Sequence, residues 1–579
     1  MKSRILFLAV TAFMSGACAY ESENIRINQV GFYPSQEKTI TIEQDNLCET
    51  ISIYRAGRKV WEGKAVRTAV SPWSGKVRRV FDFSEITKPG RYTIKAGKER
   101  MKFTVSENAF DALAEAGLKG FYHQRSGMDL DPAVAGKWAR KGGHPDTVVY
   151  IHPSAVSEGR PEGTVISSPK GWYDAGDYNK YVVNSGYSMG LMAEAALMFS
   201  TPENVDRRKA IHDELEYNAE WLYTMQDPSD GGVYHKLTNP EFEGFISPLE
   251  CSKPRYVVQK SVTAALDYAG ALCTFVELGD SPDPETIAKA EAAYAWAVSN
   301  PTAFYFQERM NRTYDPDVST GAYGDGSASD ELFWAATSQY MANYPGDRDV
   351  YLTDVIENMP EEFTLMSWGN VAALGVFNWI EMEMHHRKWG EFYPIHNPEA
   401  EQEKEIRTRC VKMLLEYCDK AIEAVEGSCY NSAYGNRPED FHWGCCSSFC
   451  DQAICFLYAY ELTNDRKYLD NAFRNVNYIL GQNATGYCYV TGFGTKSPMH
   501  PHSRLCASDG IEEPIPGLLV GGPNPGQQDI AEVKRYSSDF PDESYEDVEP
   551  SYASNEIAIN WNASLVAAIT WLSHIGNEL

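Results

Sequence analysis

Apolar residues follow two different periods along this chain, and the change falls near residue 105. Before it, the period is two: Ile40 and Ile42, Ile51 and Ile53, Val80, Phe81 and Phe83, Tyr92 and Ile94, Phe103 and Val105. Turn signals such as Pro89-Gly90 separate the runs. Successive side chains of a strand face opposite ways, so this spacing predicts short strands with one buried face, assembled as a small antiparallel β-sandwich. From Ser106 onward the spacing becomes helical. Phe110, Leu113, Gly117 and Phe121 share one face, as do Ile211, Leu215, Ala219 and Leu222. Helices are predicted over 106–124, 184–200, 207–226, 261–278, 283–299, 328–344, 348–357, 370–386, 401–425, 446–463, 466–481 and 555–575. Twelve helices fit a toroid of six hairpins, and no exact repeat suggests a solenoid of near-identical units.

Between these helices lie long segments rich in Gly, Pro, Asp and aromatics: 126–172, 227–258, 311–327, 426–445 and 484–554. Long connections inside a compact domain tend to carry function. The stretch from Gly171 to Tyr181 holds Asp174 and Asp177 with only Ala175 and Gly176 between them. Small residues let the backbone turn tightly, so both acids can point at one spot, with Trp172, Tyr173, Tyr178 and Tyr181 as walls. Two acids among aromatics suit a sugar, although an Asp-rich turn or a calcium loop uses the same letters. Downstream, the run Met499-His500-Pro501-His502-Ser503-Arg504 offers imidazoles and a guanidinium fork, groups suited to gripping hydroxyls or orienting a carboxylate. Glu556 opens the last predicted helix among Ile557, Trp561, Asn555 and Asn562. Desolvation there would raise its pKa and keep it protonated, as a general acid requires.

Composition narrows the partner. A chain of 579 residues is long enough for a large helical domain with an appendage. Its formal net charge of -28 argues against nucleic acid and anionic membranes and leaves room for a neutral substrate. The first residues read as an export signal, with Lys2 and Arg4 before the apolar run Ile5 to Met14. Cleavage after Ala19 is one route. Lipidation at Cys18 is the other, although Ser15 stands where a lipobox usually has Leu. The chain is therefore expected to be periplasmic, secreted or held at the cell surface, touching a membrane only through a lipid on Cys18. Of its 13 cysteines, Cys445, Cys446, Cys450 and Cys455 cluster most tightly, without zinc-knuckle spacing. Buried thiols or one disulfide are expected there.

Several stretches resemble the glycoside hydrolase family 9 cellulases: Gly171 to Asp177, Met225 to Pro228 with Gly231 to Lys236, Thr320 to Asp325, Tyr489 to Gly494 with Pro498 to His502, and Asn555 to Ala558. Ile27 to Phe32 resembles the start of the immunoglobulin-like domain that precedes many of these enzymes. With the export signal, or its lipoprotein form, over 1–19, the resemblance implies an immunoglobulin-like β-sandwich over 24–105 and an all-α (α/α)6 barrel catalytic domain over 106–579. It implies hydrolysis of β-1,4-glucosidic bonds with inversion, by internal cuts. An exo-acting cellodextrinase or β-glucosidase is the alternative, and a non-catalytic glycan-binding protein the distant one. Carried over by position, Asp177 resembles the base that deprotonates water, Asp174 the partner that holds that water, and Glu556 the acid that protonates the leaving oxygen. His500, Arg504 and Tyr552, with the wall residue Trp172, are the expected sugar contacts. No cofactor is needed for that chemistry. A structural calcium is implied near Asp330 and Glu331, although Asn370 stands where calcium-binding members have a carboxylate. The expected partner is a β-glucan polysaccharide or oligosaccharide bound by a monomer. No carbohydrate-binding module follows the last predicted helix, which favours soluble chains over crystalline cellulose.

Overall fold

The computed structural model describes residues 22, 24–43, 48–198, 205–279, 283–343, 348–389 and 401–578. The export signal and Cys18 lie outside the described residues. Eight strands come first: β1 Ile25–Arg26, β2 Thr39–Glu43, β3 Thr50–Arg55, β4 Arg58–Lys64, β5 Arg67–Val70, β6 Val77–Asp82, β7 Gly90–Ala96 and β8 Glu99–Val105. They form two four-stranded sheets, ordered β1-β2-β6-β5 and β4-β3-β7-β8. The alternating apolar residues do what their period requires: Ile40, Ile42, Ile51, Ile53, Phe81 and Phe103 fill a core of their own.

Twelve long helices follow among the described residues. Six of them form a closed inner ring, each packed against the next: Val182–Leu197, Val262–Glu277, Ser329–Ala342, Ala372–Trp389, Cys445–Thr463 and Ile559–Glu578, the last returning to the first. The others, Asp111–Gln124, Val205–Met225, Pro284–Ser299, Asp349–Asn358, Glu401–Glu423 and Arg466–Ile479, lie outside them. This is an (α/α)6 barrel. The two rings differ as burial demands. Val262–Glu277 buries every residue from Val262 to Val276, whereas Pro284–Ser299 buries one stripe. Chain order alternates outer and inner helix, and the long segments precede inner helices. The N-terminal ends of the inner ring therefore share one mouth with those segments.

Two of the segments expected to be unstructured are partly strand. β9 Val149–Ile151, β10 Val165–Ile166, β11 Lys180–Tyr181, β12 Lys236–Thr238 and β13 Tyr256–Val257 pair in the order β10-β9-β13-β12-β11. Strands of two or three residues are too short to show a period, and their partners are distant in sequence. The terminal helix also starts later than its apolar pattern suggests, at Ile559 rather than 555. The twelve described cysteines are all free thiols, so the disulfide alternative finds no support among them. No described helix is long and apolar enough to cross a membrane.

The sandwich is fused to the barrel. Tyr33 is fully buried in the barrel core against Phe110 and Phe473. Asn28 Nδ2 donates to Asn477 Oδ1 at 2.8 Å, and Arg474 forks onto Glu37 at 2.6 and 2.8 Å.

Candidate active site

The acid stretch is tied at almost every backbone group. Tyr173 N donates to Gln124 O (2.8 Å), Asp174 N to Asn179 O (3.0 Å), and Ile559 N to Asp174 O (2.8 Å). Gly176 O accepts from both Arg504 N (3.0 Å) and Arg504 Nη1 (2.8 Å). The turn then enters β11, whose Lys180 and Tyr181 pair with Leu237 and Lys236 of β12. Behind it, Lys180 Nζ meets Asp146 Oδ2 at 2.7 Å and Arg255 Nε meets Asp146 Oδ1 at 3.0 Å, all three side chains buried. Burial alone would raise Asp146, yet Arg255 and Lys180 hold its carboxyl down to about 2.

Asp174 and Asp177 are both buried beside the mouth and are held in different ways. Asp174 accepts through both oxygens, from Asn184 Nδ2 at 2.7 Å and from Tyr323 OH at 2.7 Å. Burial and the neighbouring Asp177 charge push it well above the usual carboxylate range. Asp177 takes its hydrogen bonds on Oδ2 alone, from Asn179 N (3.2 Å), Asn179 Nδ2 and Tyr181 OH (3.2 Å). That arrangement leaves Oδ1 available to the cleft. Lys236 Nζ lies fully buried near both acids, donating to Gln307 Oε1, Thr320 Oγ1 and Gly321 O at 2.7, 3.0 and 2.6 Å.

Glu556 arrives from the far end of the chain. It sits in extended backbone between the short helix Tyr552–Asn555 and the terminal helix, so its placement owes nothing to a helix N-terminus. Gly521 N donates to its carbonyl at 2.9 Å, and its strand bridges His502. A Cβ added to Gly176 would lie 3.2 Å from Glu556 Oε1 and 2.4 Å from His502 O. Only a glycine lets the third carboxyl come this close to the other two. Desolvation, then the charges of Asp177 and Asp174, push Glu556 well above 4.5.

The remaining expected contacts divide. Trp172 is a correction: it is 1% exposed, its Nε1 donates to Glu214 Oε1 at 2.9 Å, and its ring packs on Phe121. Tyr173, Tyr178 and Tyr181 are buried too, so these aromatics support the acids from behind. Arg504 is also mostly buried, its Nε donating to Glu243 O at 2.8 Å, which makes it a clamp on the acid turn. His500 is exposed and fixed through its backbone, by Asp547 and Asn555. His502, two residues on, lies over the acid turn instead, its ring carbon Cδ2 2.9 Å from where a Cβ on Gly176 would stand. Its Nδ1 contacts Glu549 O at 2.8 Å, and burial lowers its pKa to about 4, so the ring is neutral. Tyr552 is half-buried beside the exposed Trp443.

Asn184, Tyr323 and Lys236 complete the site without having been given roles from sequence, and His502 had one only as part of the run 499–504. Lys236 and Tyr323 sit inside stretches that resemble the family, and Tyr323 has a left-handed φ of 47°, a marked position for a bulky residue. Asn184 gave no signal beyond being a polar residue on an inner helix. Near the expected calcium position, Asp330 Oδ2 accepts from Val371 N at 2.9 Å. Glu331 Oε2 and both carboxylate oxygens of Asp267 are buried without hydrogen-bond partners, which fits a hard cation.

A helical toroid whose mouth gathers three carboxyls beside exposed aromatics defines a glycoside hydrolase. The chain belongs to glycosyl hydrolase family 9, whose description it matches over residues 110–569, and residues 20–101 match the cellulase N-terminal ig-like domain. It is 46% identical to a xyloglucan-specific endo-β-1,4-glucanase of Bacteroides ovatus over 97% of each chain. A solved structure described as Bacteroides ovatus GH9 superposes with a TM-score of 0.87 at 45% identity, covering 96% of this chain and 99% of that one. A single mutant of the thermostable endoglucanase from Alicyclobacillus acidocaldarius gives 0.80 at 26% identity, covering 95% and 100%.

Proposed function

We propose that the chain is an exported enzyme that cuts β-1,4-glucosidic bonds within xyloglucan-type chains, with inversion. The observation that carries this reading is the convergence of Asp174, Asp177 and Glu556 around Gly176. Inversion needs an acid and a base on opposite faces of the sugar, with a water on the base's side. Asp177, with Oδ1 unencumbered, takes the proton from that water. Asp174, kept from competing by its raised affinity for a proton, holds the water in place. Glu556 gives its proton to the leaving oxygen, and its enclosure keeps that proton available near neutral pH. His502, whose N–H is spent on Glu549 O, offers the acceptor Nε2, and the Trp443–Tyr552 pair offers ring faces to the glucan. The xyloglucan preference rests on the Bacteroides ovatus relative, which is described as specific for that polymer.

In this reading residues 1–19 are the export signal, 24–105 the immunoglobulin-like unit and 106–579 the catalytic unit. Glu331, Asp267 and Asp330 would hold a calcium ion whose charge offsets carboxylates that otherwise face one another. The decisive experiment follows viscosity and reducing ends together on soluble xyloglucan, mixed-linkage β-glucan and carboxymethyl-cellulose, with Glu556→Gln protein as the blank. A steep viscosity fall at few new ends, fastest on xyloglucan, is expected. Release of glucose or cellobiose at nearly constant viscosity would replace this reading with an exo-acting one, and equal rates on all three polymers would remove the xyloglucan preference.

A further inference from the structure

The loop from Asn239 to Arg255 keeps an apolar surface in water that folding by itself does not require. Phe242, Phe245, Ile246 and Leu249 fall within eight positions and are between 36% and 62% exposed. Single exposed apolar residues are ordinary, but a cluster of them on one loop marks a place of contact. The loop is also held along its length. Ser319 N donates to Pro240 O at 2.7 Å, Tyr178 OH to Ile246 O at 2.8 Å, and Lys253 N to Glu243 Oε1 at 3.2 Å. Because Tyr178 follows directly on Asp177, the second of these bonds fastens the apolar cluster to the acid turn itself.

The cluster stands beside the acids. Phe245 meets the ring of His502 edge-on, with centroids 5.2 Å apart, and His502 lies over Gly176. His502 also meets Tyr552 at 5.9 Å, and Tyr552 meets Trp443 at 5.3 Å. A continuous row of four rings, Phe245, His502, Tyr552 and Trp443, therefore passes over the acid turn. Arg504 fixes the Phe245 end. Its guanidinium carbon is 5.4 and 5.0 Å from the centroids of Phe242 and Phe245, while its N–H groups are taken up by Glu243 O and Gly176 O. A cation held against aromatic rings orders them, and the area of both rings that stays exposed is presented ready-made to a ligand.

We propose that Phe245, with Phe242 and Leu249, forms a side wall of the cleft that takes the sugar branches of the substrate and so sets a preference for a branched glucan. This rests on the reading of the enzyme as one that cuts xyloglucan-type chains. A β-1,4-glucan backbone is a flat ribbon, and a xylosyl branch projects sideways from it. Such a branch carries C–H faces that pack on aromatic and aliphatic side chains, and it carries no charge. The wall has the matching chemistry, since its only cation is engaged by backbone carbonyls. An unbranched chain lies against the acids and the Trp443–Tyr552 pair but has nothing to place on the wall. Phe245 thus acts on binding, and the proton transfers remain with the acids.

Steady-state kinetics on the full-length protein, with soluble xyloglucan and unbranched mixed-linkage β-glucan, test this. Phe245→Ala is expected to lower the ratio of kcat/KM on xyloglucan to that on the unbranched polymer by about ten-fold, through KM rather than kcat, the scale of one lost ring contact. Phe245→Trp should restore the ratio. Leu249→Ala truncates a side chain that stands mostly in water, so the fold tolerates it, and should lower the ratio about three-fold. A wild type that cuts both polymers equally well overturns the xyloglucan reading and the wall with it. A wild-type preference that persists in both Phe245→Ala and Leu249→Ala overturns the wall alone. So does a dimer in solution that Leu249→Asp dissociates with the preference intact, which would assign the patch to a second copy of the chain.

Discussion

Drawing a carboxylic acid out of water keeps its proton on, and Glu556 is drawn out by the glycine beneath it and the two acids beside it. Glu556→Gln should lower turnover of xyloglucan by about 10³-fold or more while sparing an aryl glycoside whose leaving group needs no proton, read by steady-state kinetics. The same substitution should raise Tm at neutral pH. A raised pKa means that the folded state holds the proton more tightly, so the stability it contributes is complete below about pH 4 and fades as pH rises through the folded value. The Tm gap between variant and wild type should therefore open above pH 4 and vanish below it; a constant gap would count against the raised acid. Gly176→Ala places a methyl 2.4 Å from His502 O and should cost about 10²-fold in kcat with the fold intact by circular dichroism. At this scale the letters singled out three acids that the fold brings together around Gly176, and they misjudged Trp172. A tryptophan stacked on sugar and one buried against Phe121 are spelled alike, and only the Glu214 partner of its indole N–H tells them apart.

The element that holds the acids is the short five-stranded sheet, pinned by the buried Lys180–Asp146–Arg255 cluster. Asp146→Ala leaves two buried cations facing each other, and a loss of about 3–5 kcal/mol is expected in denaturant unfolding. Because Asp146 is held near 2, its stabilising contribution is present above the unfolded value near 3.9 and is lost as pH falls toward 2. Wild type and Asp146→Asn should accordingly converge in stability only in strong acid. The helices were legible because their period is local: Asp465 caps Arg466–Ile479 through Lys467 N, and Asp283-Pro284 starts the helix Pro284–Ser299. The sheet was not, since β11 and β13 have two residues each and exist only through partners 18 to 106 positions away by number.

Across the whole molecule the sandwich and barrel share a core at Tyr33, with Phe110 and Phe473 on the barrel side. Calorimetry should record a single transition for the intact protein. Tyr33→Ala should cost about 3–5 kcal/mol and lower that transition without splitting it, because Trp73 on Phe441 and the polar contacts at Asn477 and Arg474 still link the units; a split into two peaks would mean that Tyr33 alone couples them. By itself the sequence determined what depends on near neighbours: the change of period near residue 105, the helices and nearly all their lengths, and the short acid turn with its obligatory glycine. The tertiary structure decided what depends on contacts closed over long stretches of chain: Glu556 meeting Gly176, His502 rather than His500 lying over that glycine, and Phe245 meeting His502. Periodicity fixes which face of an element is buried, but only the closed ring fixes what that face meets.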